Sequence, residues 1–173
     1  CSRDGTLTLT GTISGAYSLT KQGAGVVELA NSGNSYSGAT IIENGVLRIS
    51  SSSNALPGGF ATGSPSGGNL QLAGGVLELN VGTTFTRRLG TASDQVQWTG
   101  DGGFSAYGAA RTVTLTNSSG TAGGSLTWNA GSFVPTGNAL LLSSDYSDNT
   151  VTLTNAINLG GASREVRVAN GSA

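Results

Sequence analysis

One interval constrains this chain more than any other feature. Thr6-Leu7-Thr8-Leu9-Thr10 is followed twenty residues later by Val26-Val27-Glu28-Leu29-Ala30, and after twenty more by Val46-Leu47-Arg48-Ile49-Ser50. Each segment alternates as a strand does, and two columns fall in register: Leu7, Val27, Leu47 and then Leu9, Leu29, Ile49. Because side chains on a strand point alternately to opposite faces, these six residues share the inward face while Thr8, Glu28 and Arg48 point outward. A period near twenty is one coil of a parallel β-helix, in which equivalent residues of successive coils stack over one another.

Later segments keep the strand character with looser spacing. Leu70-Gln71-Leu72 and Val76-Leu77-Glu78-Leu79 flank Gly74-Gly75, and Gln95 to Trp98, Ser125 to Trp128, Leu140 to Leu142 and Glu165 to Val168 follow. The hexamer TVTLTN occurs twice unchanged, at Thr112 to Asn117 and Thr150 to Asn155. Gly, Asn, Ser and Asp clusters between the strands supply corners, and no stretch shows the 3.6-residue period of a helix. An antiparallel sandwich would instead show hairpins with two-residue turns at intervals of roughly 8–12 residues. The expected fold is therefore all-β, a right-handed parallel β-helix (β-solenoid) of about seven to nine coils with no helical cap. It forms one domain over residues 1–173, with regular twenty-residue coils in 1–50 and less regular ones in 51–173.

Composition agrees and narrows the function. Gly occurs 29 times, only 10% of residues are charged, and neutral polar residues stand where ionic ones usually do. That balance suits strands and turns and is poor for helices. A net charge of −1 with scattered Lys and Arg, of which only Arg87-Arg88 adjoin, offers no stripe for nucleic acid. No apolar run approaches the ~18 residues that span a bilayer. The chain has no Met even at position 1, as expected of a processed chain or a fragment. Its single cysteine, Cys1, excludes an internal disulfide framework. Cys1 followed by Ser2 fits a lipoprotein lipidated after signal cleavage; the plainer alternative is a residue that simply begins the chain.

Residues 18–49, SLTKQGAGVVELANSGNSYSGATIIENGVLRI, carry a recognisable pattern. Leu19 to Gly25, the corner Asn34 to Gly38 and Gly45 to Leu47 resemble the autotransporter-associated β-strand repeat, also called the passenger-associated transport repeat. The stretch Arg88-Leu89-Gly90, Val96 to Trp98 and Gly100 to Phe104 is similar to the less regular coils accompanying such repeats, so the resemblance covers about half the chain. It implies a right-handed β-helix exported beyond the outer membrane of a Gram-negative-type bacterium, and it implies no catalytic residues. No C-terminal membrane barrel is present, which points to a piece of a passenger or to a protein that stands without one.

Catalytic signatures are sparse. With no His and no internal Cys, serine triads, cysteine nucleophiles and ordinary zinc sites are absent. Gly100-Asp101-Gly102-Gly103 reads as a corner, since no helix follows to make a phosphate cradle. Parallel β-helices that cleave polysaccharides need clustered carboxylates, for which Asp94, Asp101, Asp145 and Asp148 are the candidates. Asp145 and Asp148, in one Ser-rich turn, are the metal candidates, although Asx-type turn residues explain them equally well. Trp98 and Trp128 fit either sugar stacking or core packing, with packing favoured. No catalytic residue, cofactor or metal is expected, and the chain is expected not to be an enzyme.

Solenoids need polar caps, because an open last coil exposes backbone and core. TLTLT at one end and EVRVANGSA at the other read as uncapped strands. The leading expectation is a structural subunit of an extracellular bacterial filament whose partners are copies of itself, head to tail. The alternative is a shaft segment of an autotransporter passenger or adhesin, with cell-surface or matrix polysaccharide as a further partner; a polysaccharide-active enzyme ranks third. Each reading places the chain outside the cell or on its surface.

Overall fold

A computed structural model describes residues 5–63 and 67–171. Regular structure is almost wholly short strand. The first five are β1 (Thr6–Leu9), β2 (Leu19–Lys21), β3 (Val26–Leu29), β4 (Thr40–Ile42) and β5 (Val46–Ile49). After a three-residue 3-10 turn at Ser53–Ala55 come β6 (Leu70–Leu72), β7 (Val76–Leu79), β8 (Thr84–Phe85), β9 (Val96–Trp98) and β10 (Gly102–Ala106). Then follow β11 (Arg111–Val113), β12 (Leu126–Thr127), β13 (Ala139–Leu142), β14 (Val151–Leu153), β15 (Ile157–Asn158) and β16 (Glu165–Val168). No helix among the described residues is long and apolar enough to cross a membrane.

All named strand pairs are parallel. The main sheet orders its seven strands β1-β3-β5-β7-β10-β13-β16, a second sheet runs β2-β4-β6-β9, and a third runs β14-β11-β8. A two-stranded ladder, β12-β15, completes the set. Strands that neighbour each other within a sheet lie a whole coil apart in sequence, which is the stacked arrangement of a β-solenoid.

The main-sheet register joins Leu7 to Val27 to Leu47 and Leu9 to Leu29 to Ile49. Leu29, Leu47 and Ile49 lie in the core with Leu77, Leu79 and Phe104 of the following coils, and Leu9 and Val27 pack against it partly buried. Leu7 departs from the expected burial. It sits in column over Val27 but is 57% exposed, because β1 has a neighbour on one side only among the described residues. Cys1 lies outside the described residues.

Past Ile49 the core changes character. Phe60, Phe85, Phe104, Trp98, Phe133 and Trp128 form a continuous chain of ring contacts, with successive centroids 4.9–5.9 Å apart and tilted or edge-on faces. Both tryptophans are buried in this ladder, and Trp98 Nε1 donates to the Gly102 carbonyl at 2.7 Å. Packing is therefore their role, not sugar stacking. The stretch Gly100 to Gly103, expected as a corner, gives only its first half to a turn; Gly102 and Gly103 begin β10 in the middle of the main sheet.

The two TVTLTN copies meet in the third sheet. Thr112 pairs with Thr152 and Val113 with Leu153, so the offset is 40 residues where sequence identity would give 38. Asn155 then reaches the backbone of Leu115, accepting from its N–H at 2.7 Å and donating to its carbonyl at 2.8 Å.

Candidate functional site

The recurrent motif works as a set of fasteners between coils. Asn34 sits in the corner after β3, and its amide oxygen accepts the Ile13 N–H of the coil before at 2.9 Å. The amide nitrogen donates to the Ala55 carbonyl of the coil after at 2.8 Å, so one side chain ties three coils. Tyr36 is buried, and its hydroxyl shares a 2.7 Å hydrogen bond with Thr40 Oγ1. Burial pushes its phenol up to about 12, while the Thr40 bond and the Arg87 charge pull the other way. At Gly38 the coils touch so closely that a Cβ would lie 2.3 Å from the Ser18 nitrogen. Lys21, which faces inward beside Ile42, sends Nζ to the carbonyls of Gln22, Gly23 and Asn44 at 3.0, 2.5 and 3.0 Å. Burial lowers its pKa.

Two ion-bearing sites were not evident as such in the sequence. Arg87, which stands out there only as adjoining Arg88, is 0% exposed. It lies between Phe85 and Leu89 in the alternation, and that inward position is the signal that identifies it. Its guanidinium donates to the carbonyls of Gly59 at 2.9 Å, Gly68 at 3.3 Å and Pro57 at 2.7 Å, gathering the long loop after β5. Desolvation pulls its pKa down to about 10, with Asp94 and Tyr36 opposing, so it remains charged at neutral pH.

The second site lies on the outer face of the main sheet. Arg48 points away from the core as expected, yet it is buried there. Its Nε meets Glu78 Oε2 at 2.6 Å, and its guanidinium carbon stands 3.6 Å over the Tyr107 ring centroid. Glu78 is 0% exposed; its other oxygen accepts from Ser105 Oγ at 3.0 Å and Ser144 Oγ at 2.9 Å. Ser144 comes from a strap over residues 143–148 that leaves β13 at Ser143, whose φ of 78° lies in the left-handed region. Ser147 Oγ holds the strap's turn through the Ser144 carbonyl at 2.9 Å, and Asp148 Oδ1 accepts the Gly108 N–H at 2.7 Å.

The four candidate acids do not converge. Asp94 accepts the Gly63 N–H at 2.5 Å, and Asp101 accepts the Ala139 N–H at 2.9 Å and Arg167 at 2.6 Å. Asp148 is the strap anchor just described, and Asp145 is exposed in the same strap. Among the described residues no three His, Cys, Asp or Glu side chains are placed to hold a metal ion. Asp94, Asp101 and Asp148 thus fix backbone at turns.

Comparison with known proteins agrees with this architecture. Residues 19–49 match the passenger-associated-transport-repeat model, which spans β2 to β5 and therefore Lys21, Asn34, Tyr36 and Gly38. Over 133 residues, 77% of the chain, the sequence is 35% identical to the adhesin BmaC autotransporter of Brucella suis biovar 1 (strain 1330). The chain spans 4% of that protein's length. No solved structure matches the chain. Fold and fasteners define a stacked parallel β-protein, and the repeat and the adhesin relative indicate a secreted, cell-surface one. The chain carries a passenger-associated transport repeat over residues 19–49 and is similar to part of an autotransporter adhesin.

Proposed function

We propose that this chain is a shaft segment of a bacterial cell-surface adhesin: a right-handed β-solenoid of about seven coils that acts by holding its shape, not by catalysis. The uninterrupted seven-strand parallel ladder, with the transport repeat forming its early coils, carries this reading. Right-handedness follows the strong preference of connections between parallel neighbours in one sheet. The non-catalytic role is supported by the turn duties of Asp94, Asp101 and Asp148. Fused ahead of an outer-membrane autotransporter barrel, the chain is expected on the cell surface as a fragment resistant to added protease. Retention inside the cell, or rapid surface proteolysis, contradicts the proposal.

A second reading rests on the two end faces. At one end Leu7 is exposed; at the other Ile157, Leu159, Val166 and Val168 are, Val168 at 69%. Apolar end faces of this kind favour coverage by further solenoid, and a second copy stacked head to tail supplies it. Sedimentation of the purified chain tests this: concentration-dependent assembly that Leu7→Asp abolishes supports the filament, and a monomer at high concentration removes it.

A further inference from the structure

Between the strap and the early coils, the outer face of the main sheet holds an open cleft of about 430 Å³. Val46, Val76 and Leu141 give it an apolar base, Asp145 and Tyr146 line it from the strap, and Arg167 lines it from β16. We propose that this cleft binds a short segment of an uncharged glycan. The proposal rests on the surface-shaft reading and gives that shaft a ligand of its own.

The strap shows that the cleft is built. A buried carboxylate–guanidinium pair contributes little net stability compared with apolar residues of the same volume, because both charges must be stripped of water. Here such a pair, with two hydroxyl bonds, holds Ser144, and the backbone leaves the strand through a left-handed serine. A backbone outlier held by surrounding structure marks functional segments, and here the residues it presents to the cleft are Asp145 and Tyr146.

The lining selects the ligand. The strands β5 and β7 beneath the cleft are hydrogen-bonded on both sides, so an extended peptide finds an edge only at β16 on the cleft's rim and none over the apolar base. Arg167 is engaged by Glu165 at 2.6 Å and by Asp101 at 2.6 Å, and Asp145 carries no bond to another described residue. A guanidinium already held by two carboxylates, together with the cleft's own Asp145, disfavours an anionic ligand. An acceptor-only carboxylate suits a pair of sugar hydroxyls, while valine, leucine and tyrosine suit the C–H face of a sugar ring. The volume lies in the range of pockets that hold small ligands, and the mixture of apolar base and few polar groups is theirs too.

The test is methyl-detected NMR of the whole chain titrated with cello-, laminari- and manno-oligosaccharides, and with a uronic-acid oligomer. At least one neutral oligomer is expected to shift the Val46, Val76 and Leu141 methyls at millimolar or lower concentration. Asp145→Asn and Tyr146→Ala are each expected to weaken that binding roughly tenfold. No shift from any neutral oligomer up to about 10 mM, preference for the acidic one, or binding untouched by both variants overturns the proposal. Surface display of the unaltered chain and of both variants is read in parallel: an unaltered chain that is displayed but binds no neutral oligomer refutes the cleft alone, whereas lost display of the unaltered chain refutes the shaft.

Discussion

From Leu9 to Ile49 the chain returns to the same column every 20 residues, whereas the next steps, to Leu79 and Ala106, take 30 and 27. Phe104 to Leu142 takes 38 and Leu142 to Val168 takes 26. The regular coils are held by fasteners that join immediate neighbours, such as Asn34 between Ile13 and Ala55. In the irregular coils, contacts reach past the neighbour. Ser144 after β13 skips β10 to reach Glu78 in β7, and Tyr107 after β10 skips β7 to cover Arg48 in β5. A solenoid ordinarily has nearest-neighbour energetics. The later coils add longer-range coupling, and this lets longer loops be carried without loss of order.

Three single substitutions and one double replacement probe that difference. Leu29→Asp places an unpaired charge in the dry core of the regular block and is expected to cost about 4–5 kcal/mol or more. Leu7→Asp, in the same sheet but on its open side, is expected to stay within about 0.5 kcal/mol. Urea unfolding of the two compares them, and equal costs would mean that the first coil is as closed as the second. Glu78→Ala leaves Arg48 buried without its partner and is expected to cost about 3–5 kcal/mol, with the double replacement Arg48→Met with Glu78→Leu recovering most of it. A single-variant cost below about 1 kcal/mol would remove the claim that the strap's lock couples the later coils.

A smaller effect than that of Glu78→Ala belongs to the corner of the repeat. Tyr36→Phe loses the Thr40 bond, expected at about 1 kcal/mol near neutral pH. The folded phenol titrates at about 12 against 10.0 for the free group, so the folded state keeps the proton longer. Its stabilising contribution is complete below pH 10.0 and falls away as pH rises towards about 12. The gap between wild type and Tyr36→Phe therefore narrows across that window, and a constant gap in unfolding measurements would place the phenol in water.

The sequence makes the regular block readable because twenty-residue spacing and strand alternation report the same columns. β10 is hidden by its glycines, which are depleted in strands. Gly103 is nonetheless required within the strand, since a Cβ there would lie 1.7 Å from the Leu141 carbonyl oxygen. Arg87 was legible in principle from its alternation with Phe85 and Leu89. The burial of Arg48 and Glu78 was not, because the cover comes from a strap 66 residues beyond Glu78, and nothing local to either residue announces it.

The misaligned hexamers carry one more lesson. Two identical copies of TVTLTN lie side by side displaced by two positions, and each still turns valine and leucine inward and threonine outward. What such a fold inherits is parity, not phase: an insertion of two residues is nearly silent in this ladder, whereas an insertion of one would invert every side chain downstream in the strand. A strand can thus shift by two along its partner and keep its inside and outside, whatever the length of the loops between, and matching the two hexamers letter for letter would draw the coil boundary two residues from where the molecule puts it.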